Sequence, residues 1–114
     1  MHNSEMFKLK AELCKTFADA KRLAIINELR GGEKLVGELA QALNIPHAVA
    51  SRHLALLRNR GVVRPRREGT SVYYRLADPK IIEACDLIHQ VLLNNLTKSK
   101  ELAERLTAFK PGTA

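Results

Sequence analysis

Residues 35–60 read LVGELAQALNIPHAVASRHLALLRNR and predict two helices joined by a tight turn. In the first helix, over residues 35–43, the apolar residues recur at the spacing of a single helix face. Asn44 and Pro46 favour a turn, because asparagine tolerates the left-handed conformation and proline pre-sets the start of a helix. A second, longer helix follows over about residues 47–60. This order is the plan of a helix-turn-helix.

The flanking segments add two helices before this motif and a hairpin and a helix after it. Apolar spacing predicts helices over residues 5–18 and about 20–30. Two short extended segments within residues 62–76 flank Gly69 and predict a β-hairpin, or wing, with the glycine at its tip. A last helix begins at residue 79, runs into the nineties and is expected to reach about 108.

Composition limits the chain to one domain of modest size. It has 114 residues, of which 46% are apolar and 4% aromatic, enough for a single core that favours helices. We therefore expect a mainly α fold with a small β-hairpin, a winged helix-turn-helix, over residues 1–114. No apolar run approaches the roughly 18 residues of a membrane span, and no apolar signal segment opens the chain, so we expect a cytoplasmic protein that does not bind membranes.

Positive charge is concentrated in one part of the chain. Residues 46–75 contain seven arginines and one acid, Glu68, which give +6, whereas the other 84 residues carry +1 of the total +7. Arginine makes forked contacts to phosphate and to guanine that lysine cannot make. A basic stretch this focused indicates a phosphate-bearing partner, and double-stranded DNA fits the helix-turn-helix.

Helical spacing separates the second helix of the motif into two faces. Ala50, Leu54 and Leu57 share the core side, with His53 beside them as a packing histidine. The opposite face and the hairpin supply the predicted DNA contacts: His47, Ser51, Arg52 and Arg58 from the helix, and Arg64, Arg66, Arg67 and Arg75 from the hairpin. Arg52 is a candidate for reading guanine or for holding phosphate only, and the hairpin arginines either contact DNA or form a solvated basic surface.

Four motifs resemble the ArsR/SmtB family of winged-helix repressors. They are FADAKRL (17–23), GELA (37–40), ASRHL (50–54) and VYYRL (72–76). Their order and spacing make the resemblance specific, and it covers about residues 10–95. It implies a homodimer formed by the first and last helices, binding to a palindromic operator, and release when an unidentified inducer binds. In that dimer the interface residues would include Leu13, Phe17, Ile81, Ile88 and Leu92.

The resemblance does not supply a metal site. Family sensors for soft metals carry a Cys-Val-Cys where this chain has Leu35, Val36 and Gly37. The last-helix zinc or nickel pattern of the family also fails, since Asp86 and His89 are one residue too far apart and no histidine follows. Cys85 and His89 remain as weak metal candidates at i and i+4. We expect no cofactor.

Cys14 and Cys85 have no disulfide or CxxC spacing. They are either packing residues or, if the first and last helices meet in a dimer, a thiol or persulfide switch.

Other function classes fit less well. A winged-helix module that binds protein is the alternative, but interfaces between proteins seldom concentrate seven arginines beside one acid. RNA binding lacks exposed aromatic platforms, and no phosphate loop or paired nucleophile and base indicates an enzyme.

Overall fold

The computed structural model of the chain describes residues 3–96, 100–109 and 111–112. In this part of the chain the α-helices are α1 (Ser4–Thr16), α2 (Ala20–Glu28), α3 (Val36–Leu43), α4 (His47–Asn59), α5 (Lys80–Leu96) and α6 (Lys100–Thr107). The strands are β1 (Lys34–Leu35), β2 (Val63–Glu68) and β3 (Ser71–Leu76). The expected winged helix-turn-helix is confirmed. No helix among the described residues is both long and apolar enough to cross a membrane.

Side chains with capping geometry start two of the helices. The Asp19 carboxylate accepts the Arg22 N–H at 3.0 Å at the start of α2, and this bond lowers the pKa of Asp19. Arg22 in turn donates from Nε to the Thr16 carbonyl at 2.7 Å, which fixes the corner between α1 and α2. Asp78 accepts the Lys80 N–H at 2.9 Å at the start of α5, as the Asp-Pro pair predicts.

The core lies between α2, α3, α4 and the base of the hairpin. It is formed by eight buried side chains: Ile25, Ile26, Leu29, Leu39, Leu54, Leu57, Val62 and Val63. Leu54 and Leu57 are 0% exposed, as is Ala50 beside them on the same face of α4. Because one face of α4 is packed in this way, its opposite face points to solvent.

The turn between α3 and α4 has the backbone that the sequence predicts. Asn44 has φ 53° and ψ 50°, the left-handed region, and ends α3. The Ile45 N–H then donates to the Ala40 carbonyl at 3.0 Å. Pro46 immediately precedes α4 and is extended. This geometry turns the chain sharply enough for α3 and α4 to pack against each other.

The sheet has one strand more than the predicted hairpin. Its order is β1-β3-β2, with both pairings antiparallel. The prediction that Leu35 begins the third helix is wrong, because Leu35 belongs to β1, pairs with Tyr73 of β3 and has extended backbone angles. Pro65 lies on the edge strand β2 and faces Tyr74. Because Ala77 donates to the Val62 carbonyl and hydrogen-bonded pairs alternate along the ladder, the Pro65 position is one that needs no N–H toward β3.

The last helical region differs from the prediction of one helix over about 79–108. A continuous helix would separate residues 89 and 109 by about 30 Å. In the structure the ring centroids of His89 and Phe109 lie 6.2 Å apart, in an edge-to-face arrangement. The prediction is therefore wrong beyond Leu96: α6 is a separate helix that runs back along α5, where the Phe109 ring packs against His89.

The turn at Asn44 allows a direct test of the helix-turn-helix. We expect Asn44→Val to lower the free energy of unfolding by about 1–2 kcal/mol, because a β-branched side chain disfavours positive φ. Asn44→Gly should stay close to the unchanged protein, since glycine adopts this conformation freely. Urea denaturation at one fixed protein concentration measures both. Equal losses for the two variants would contradict the left-handed turn.

Candidate nucleic-acid interface

The solvent face of α4 carries the residues that helical spacing assigns to it. His47, Arg52 and Arg58 are exposed, and Ser51 is half-buried. The Ser51 hydroxyl lies 3.5 Å from Nδ1 of His47, one turn earlier on the same face. These side chains have no carboxylate partner among the described residues. The face thus offers cationic and hydroxyl groups at the first turns of the helix.

His53 lies on the other side of α4, as predicted. It is half-buried and lies near the Asp19 carboxylate, whose pKa it helps to lower as a minor influence. This environment is that of a packing histidine near the start of α2.

The register of β2 and β3 divides the wing into two faces. Val63 pairs with Leu76 and Pro65 with Tyr74 on the core side. Arg64 pairs with Arg75 on the outer side, so that two cations lie directly opposite each other. Like charges in this position are destabilising. The Glu33 carboxylate lies near enough to Arg75 for the charge of Arg75 to lower the pKa of Glu33, which offsets part of this cost. Arg67, near the tip, is also exposed.

The seven arginines of residues 46–75 form two groups. Arg60 and Arg66 are ion-paired: Arg60 bonds Glu12 of α1 at 3.1 Å, and Arg66 bonds Glu33 and Glu68. The other five have no ion pair within the described ranges: Arg52, Arg58, Arg64, Arg67 and Arg75. All five are exposed. These five cations on α4 and the wing, of which Arg75 lies near enough to Glu33 to lower its pKa, form a surface suited to a polyanion.

Arg66 differs from the other predicted DNA-contact arginines because, among the described residues, it forms ion pairs within the protein. Its guanidinium bonds both oxygens of Glu33 at 2.6–3.1 Å and Glu68 at 2.9 Å, and it covers the Tyr73 ring at 4.5 Å from the centroid. These bonds raise the pKa of Arg66, and the Arg66 guanidinium lowers the pKa of Glu33. The sequence could not single out this group, because Glu33 is 33 positions away.

Comparisons with known proteins identify the family to which this chain belongs. Residues 19–64 match the family model described as bacterial regulatory protein, arsR family. The regulator Rv0081 of Mycobacterium tuberculosis, described as an uncharacterized HTH-type transcriptional regulator, is 34% identical over 109 residues, 95% of this chain and 96% of that protein. The chain belongs to the arsR family of bacterial regulatory proteins. Its fold is the winged helix-turn-helix.

Two further comparisons relate this arsR-family regulator to named proteins. The HTH-type transcriptional repressor SmtB of M. tuberculosis is 40% identical over 74 residues, 65% of this chain, which spans only 55% of that relative. The crystal structure of Rv0081 has a TM-score of 0.76 at 35% identity, covering 82% of this chain and 95% of that one. The homodimeric winged helix-turn-helix DNA-binding domain of Mb0332 from Mycobacterium bovis has a TM-score of 0.72 at 32% identity, covering 82% and 85%.

The predicted dimer residues of the arsR-family regulator are of two kinds. Leu13, Ile88 and Leu92 are 44%, 70% and 48% exposed, which is high for large apolar side chains. Phe17 and Ile81 instead pack against the core of their own chain. An apolar face therefore continues from the core outward along α1 and α5.

The two cysteines of the regulator have different environments. Both are free thiols; Cys14 is exposed on α1, whereas Cys85 is half-buried and packs against the core. Burial raises the pKa of the Cys85 thiol, and the neighbouring Asp86 carboxylate adds to this effect. Asp86 is held by Arg30 through bonds of 2.7 and 2.9 Å, which lower the pKa of Asp86 and tie α5 to the end of α2.

The structure gathers no metal-binding cluster within the residues it describes. There, no group of three or more His, Cys, Asp or Glu side chains could hold a metal ion. His89, the partner of Cys85 in the weak metal candidate, packs its ring edge-to-face with Phe109.

The raised pKa of Cys85 predicts a slow thiol. In a Cys14→Ser variant, we expect the alkylation rate of Cys85 by iodoacetamide to rise with pH to a midpoint above the ordinary thiol value, because only the thiolate reacts. Mass spectrometry over pH 6–10 measures this. Cys14 in a Cys85→Ser variant is the matched comparison. A Cys85 midpoint below pH 7 would contradict the assignment and indicate an activated cysteine.

Proposed function

We propose that this chain is a homodimeric transcriptional repressor that binds a palindromic operator and releases it when an inducer binds. The observation that carries the proposal is the set of five exposed arginines on α4 and the wing that lack ion pairs among the described residues. An unpaired cationic surface on a helix-turn-helix favours the phosphates of a duplex. Two names support repression and dimerisation: SmtB is named a repressor, and Mb0332 is described as homodimeric.

Each part of the single proposed domain, residues 1–114, has its own role. The helix-turn-helix of about 35–60 places α4 in the major groove, where His47, Ser51 and Arg52 meet base edges. The wing of about 62–76 holds backbone phosphate or the minor groove. Phosphate contacts come from Arg58, Arg64, Arg67 and Arg75. A phosphate between Arg64 and Arg75 would also relieve the repulsion between those cations.

The dimer is proposed to form through α1 and α5. Leu13, Ile88 and Leu92 lie on the exposed apolar face and would be buried by a second copy. Phe17 and Ile81 would complete the interface from the core side. A two-fold axis through this surface would present two copies of α4, which is the symmetry of a palindromic site.

The inducer is proposed to be something other than a thiol reagent or a metal. Cys85 is half-buried, and its raised pKa opposes a role as a reactive sensor, so we assign Cys85 to packing. Cys14 is exposed on α1 and would have to act without a reactive Cys85. The edge-to-face contact of His89 with Phe109 likewise favours a packing role. The protein is proposed to act in the cytoplasm, where its DNA lies.

Arg52→Ala tests the proposed base contact. We expect the affinity for duplex DNA from upstream of its own coding sequence to fall about tenfold or more, because a bidentate guanine contact is worth about 1–3 kcal/mol. Binding to a scrambled duplex should fall much less. Fluorescence anisotropy at one salt concentration measures both duplexes.

Arg60→Ala is the matched control for Arg52→Ala. It also removes one positive charge, at the end of α4, but Arg60 is ion-paired with Glu12. It should leave the ratio of specific to non-specific affinity unchanged. Equal losses on both duplexes for Arg52→Ala would assign Arg52 to phosphate. No binding to either duplex by the unchanged protein would overturn the proposed function.

Leu92→Glu tests the proposed dimer. We expect a monomer at micromolar concentration, because the substitution buries an unpaired carboxylate in the interface. Analytical ultracentrifugation measures the mass. Gln90→Glu is the control, since it adds the same charge at an exposed polar position of α5. A Leu92→Glu dimer as stable as that of the control would show that α5 does not form the interface.

A further inference from the structure

The side chain of Arg66 crosses the outer face of the sheet. It starts on the edge strand β2, lies over the Tyr73 ring of the central strand β3 at 4.5 Å, and ends on Glu33. Glu33 immediately precedes β1, whose Leu35 pairs with Tyr73 from the other side. Arg66 therefore connects the two outer edges of the three-stranded sheet across its middle strand.

The carboxylate of Glu33 holds this side chain in a forked arrangement. The Arg66 Nε donates to both Glu33 oxygens at 3.1 and 3.0 Å, and Nη2 donates to Oε1 at 2.6 Å. Nη1 remains for Glu68 at 2.9 Å. A planar guanidinium that is stacked on a ring and bonded on two edges has little rotational freedom. The contact is therefore more directional than a single surface ion pair.

The residues that follow Glu33 lead directly into the helix-turn-helix. Leu35 in β1 donates its N–H to the Glu38 carboxylate at 2.9 Å, in the first turn of α3. The position of Glu33 is thereby linked to the position of α3, which packs against α4. The wing is also joined to the rest of the domain by the pairing of β1 with β3 and at its base, where Val63 is buried.

We propose that Glu33 is a positioning residue for DNA binding, which acts through Arg66 to fix the angle of the wing relative to the helix-turn-helix. In this arrangement Arg66 does not contact phosphate, and the outward cations Arg64 and Arg75 are set at a defined distance from α4. The inference rests on the proposed function, because only a bound duplex makes that distance matter.

A simpler electrostatic account predicts the opposite sign. If Glu33 only placed a negative charge near the DNA, its removal would make the protein more positive and tighten binding. If it positions the wing, its removal weakens binding in spite of the added positive charge. The direction of the change therefore separates the two accounts.

The experiment compares Glu33→Gln with Glu83→Gln in the full chain, by fluorescence anisotropy on the same duplex and at the same salt concentration. Glu83 is exposed on α5 and has no ion pair among the described side chains, so its variant carries the same added charge. We expect Glu33→Gln to bind about threefold to fivefold more weakly than Glu83→Gln, a modest factor because the pair is exposed. Circular dichroism and a thermal melt verify that both variants are folded.

A double-mutant cycle with Arg66→Gln gives a second readout. If the two residues act through one contact, Glu33→Gln in the Arg66→Gln background should change affinity by less than 1.5-fold. A positioning contact also predicts a change in the NMR chemical shift of the Arg66 Nε–H in the free protein. The shift should change in Glu33→Gln and remain unchanged in Glu83→Gln.

The outcomes separate the inference from the function it rests on. Duplex binding by the unchanged protein, with Glu33→Gln as tight as or tighter than Glu83→Gln, would overturn the inference alone. Independent effects of Glu33→Gln and Arg66→Gln in the cycle would overturn it as well. Failure of the unchanged protein to bind any duplex would overturn the proposed function and the inference together.

Discussion

Burial of one face of α4 is the constraint on which the rest of the structure depends. Ala50, Leu54 and Leu57 are fully buried against α2 and α3, and a helix that is packed on one side has its rotation about its own axis fixed. His47 and Arg52 then have to face solvent. The left-handed turn before α4 and the burial of the residues after it hold the helix at both ends. The surface proposed to meet DNA is thus a consequence of core packing.

The charges of this surface are arranged for a partner rather than for the stability of the free chain. An isolated domain gains little from leaving arginines unpaired, and Arg64 opposite Arg75 costs some stability. Two arginines of the basic segment form ion pairs within the protein: Arg60 with Glu12, and Arg66 with Glu33 and Glu68. One basic segment thus contains arginines that are ion-paired within the protein and arginines that remain available to a polyanion.

The sequence was sufficient for the features that depend on local spacing. The two faces of α4, the turn at Asn44 and the hairpin follow from periodicity and turn chemistry, and the structure has all three. It was not sufficient for β1, two residues that are extended only because β3 pairs with them. The reversal after α5 and the Glu33–Arg66 contact also depend on partners distant in the chain, which no local pattern encodes. Seven of the eight residues predicted to contact DNA are exposed and Ser51 is half-buried, whereas the ion pairs of Arg66 could be found only in the structure.

The central claim is that the five exposed arginines without ion pairs among the described residues bind the phosphates of a DNA duplex. The salt dependence of binding tests this claim most directly. The measurement is the dissociation constant for a duplex from upstream of the coding sequence, between 50 and 200 mM salt. If a dimer makes about six or more phosphate contacts, the affinity should fall about 10³-fold or more over this range, because each contact releases condensed counterions. An affinity that stays constant across the same range would contradict the account and favour a protein partner for the surface.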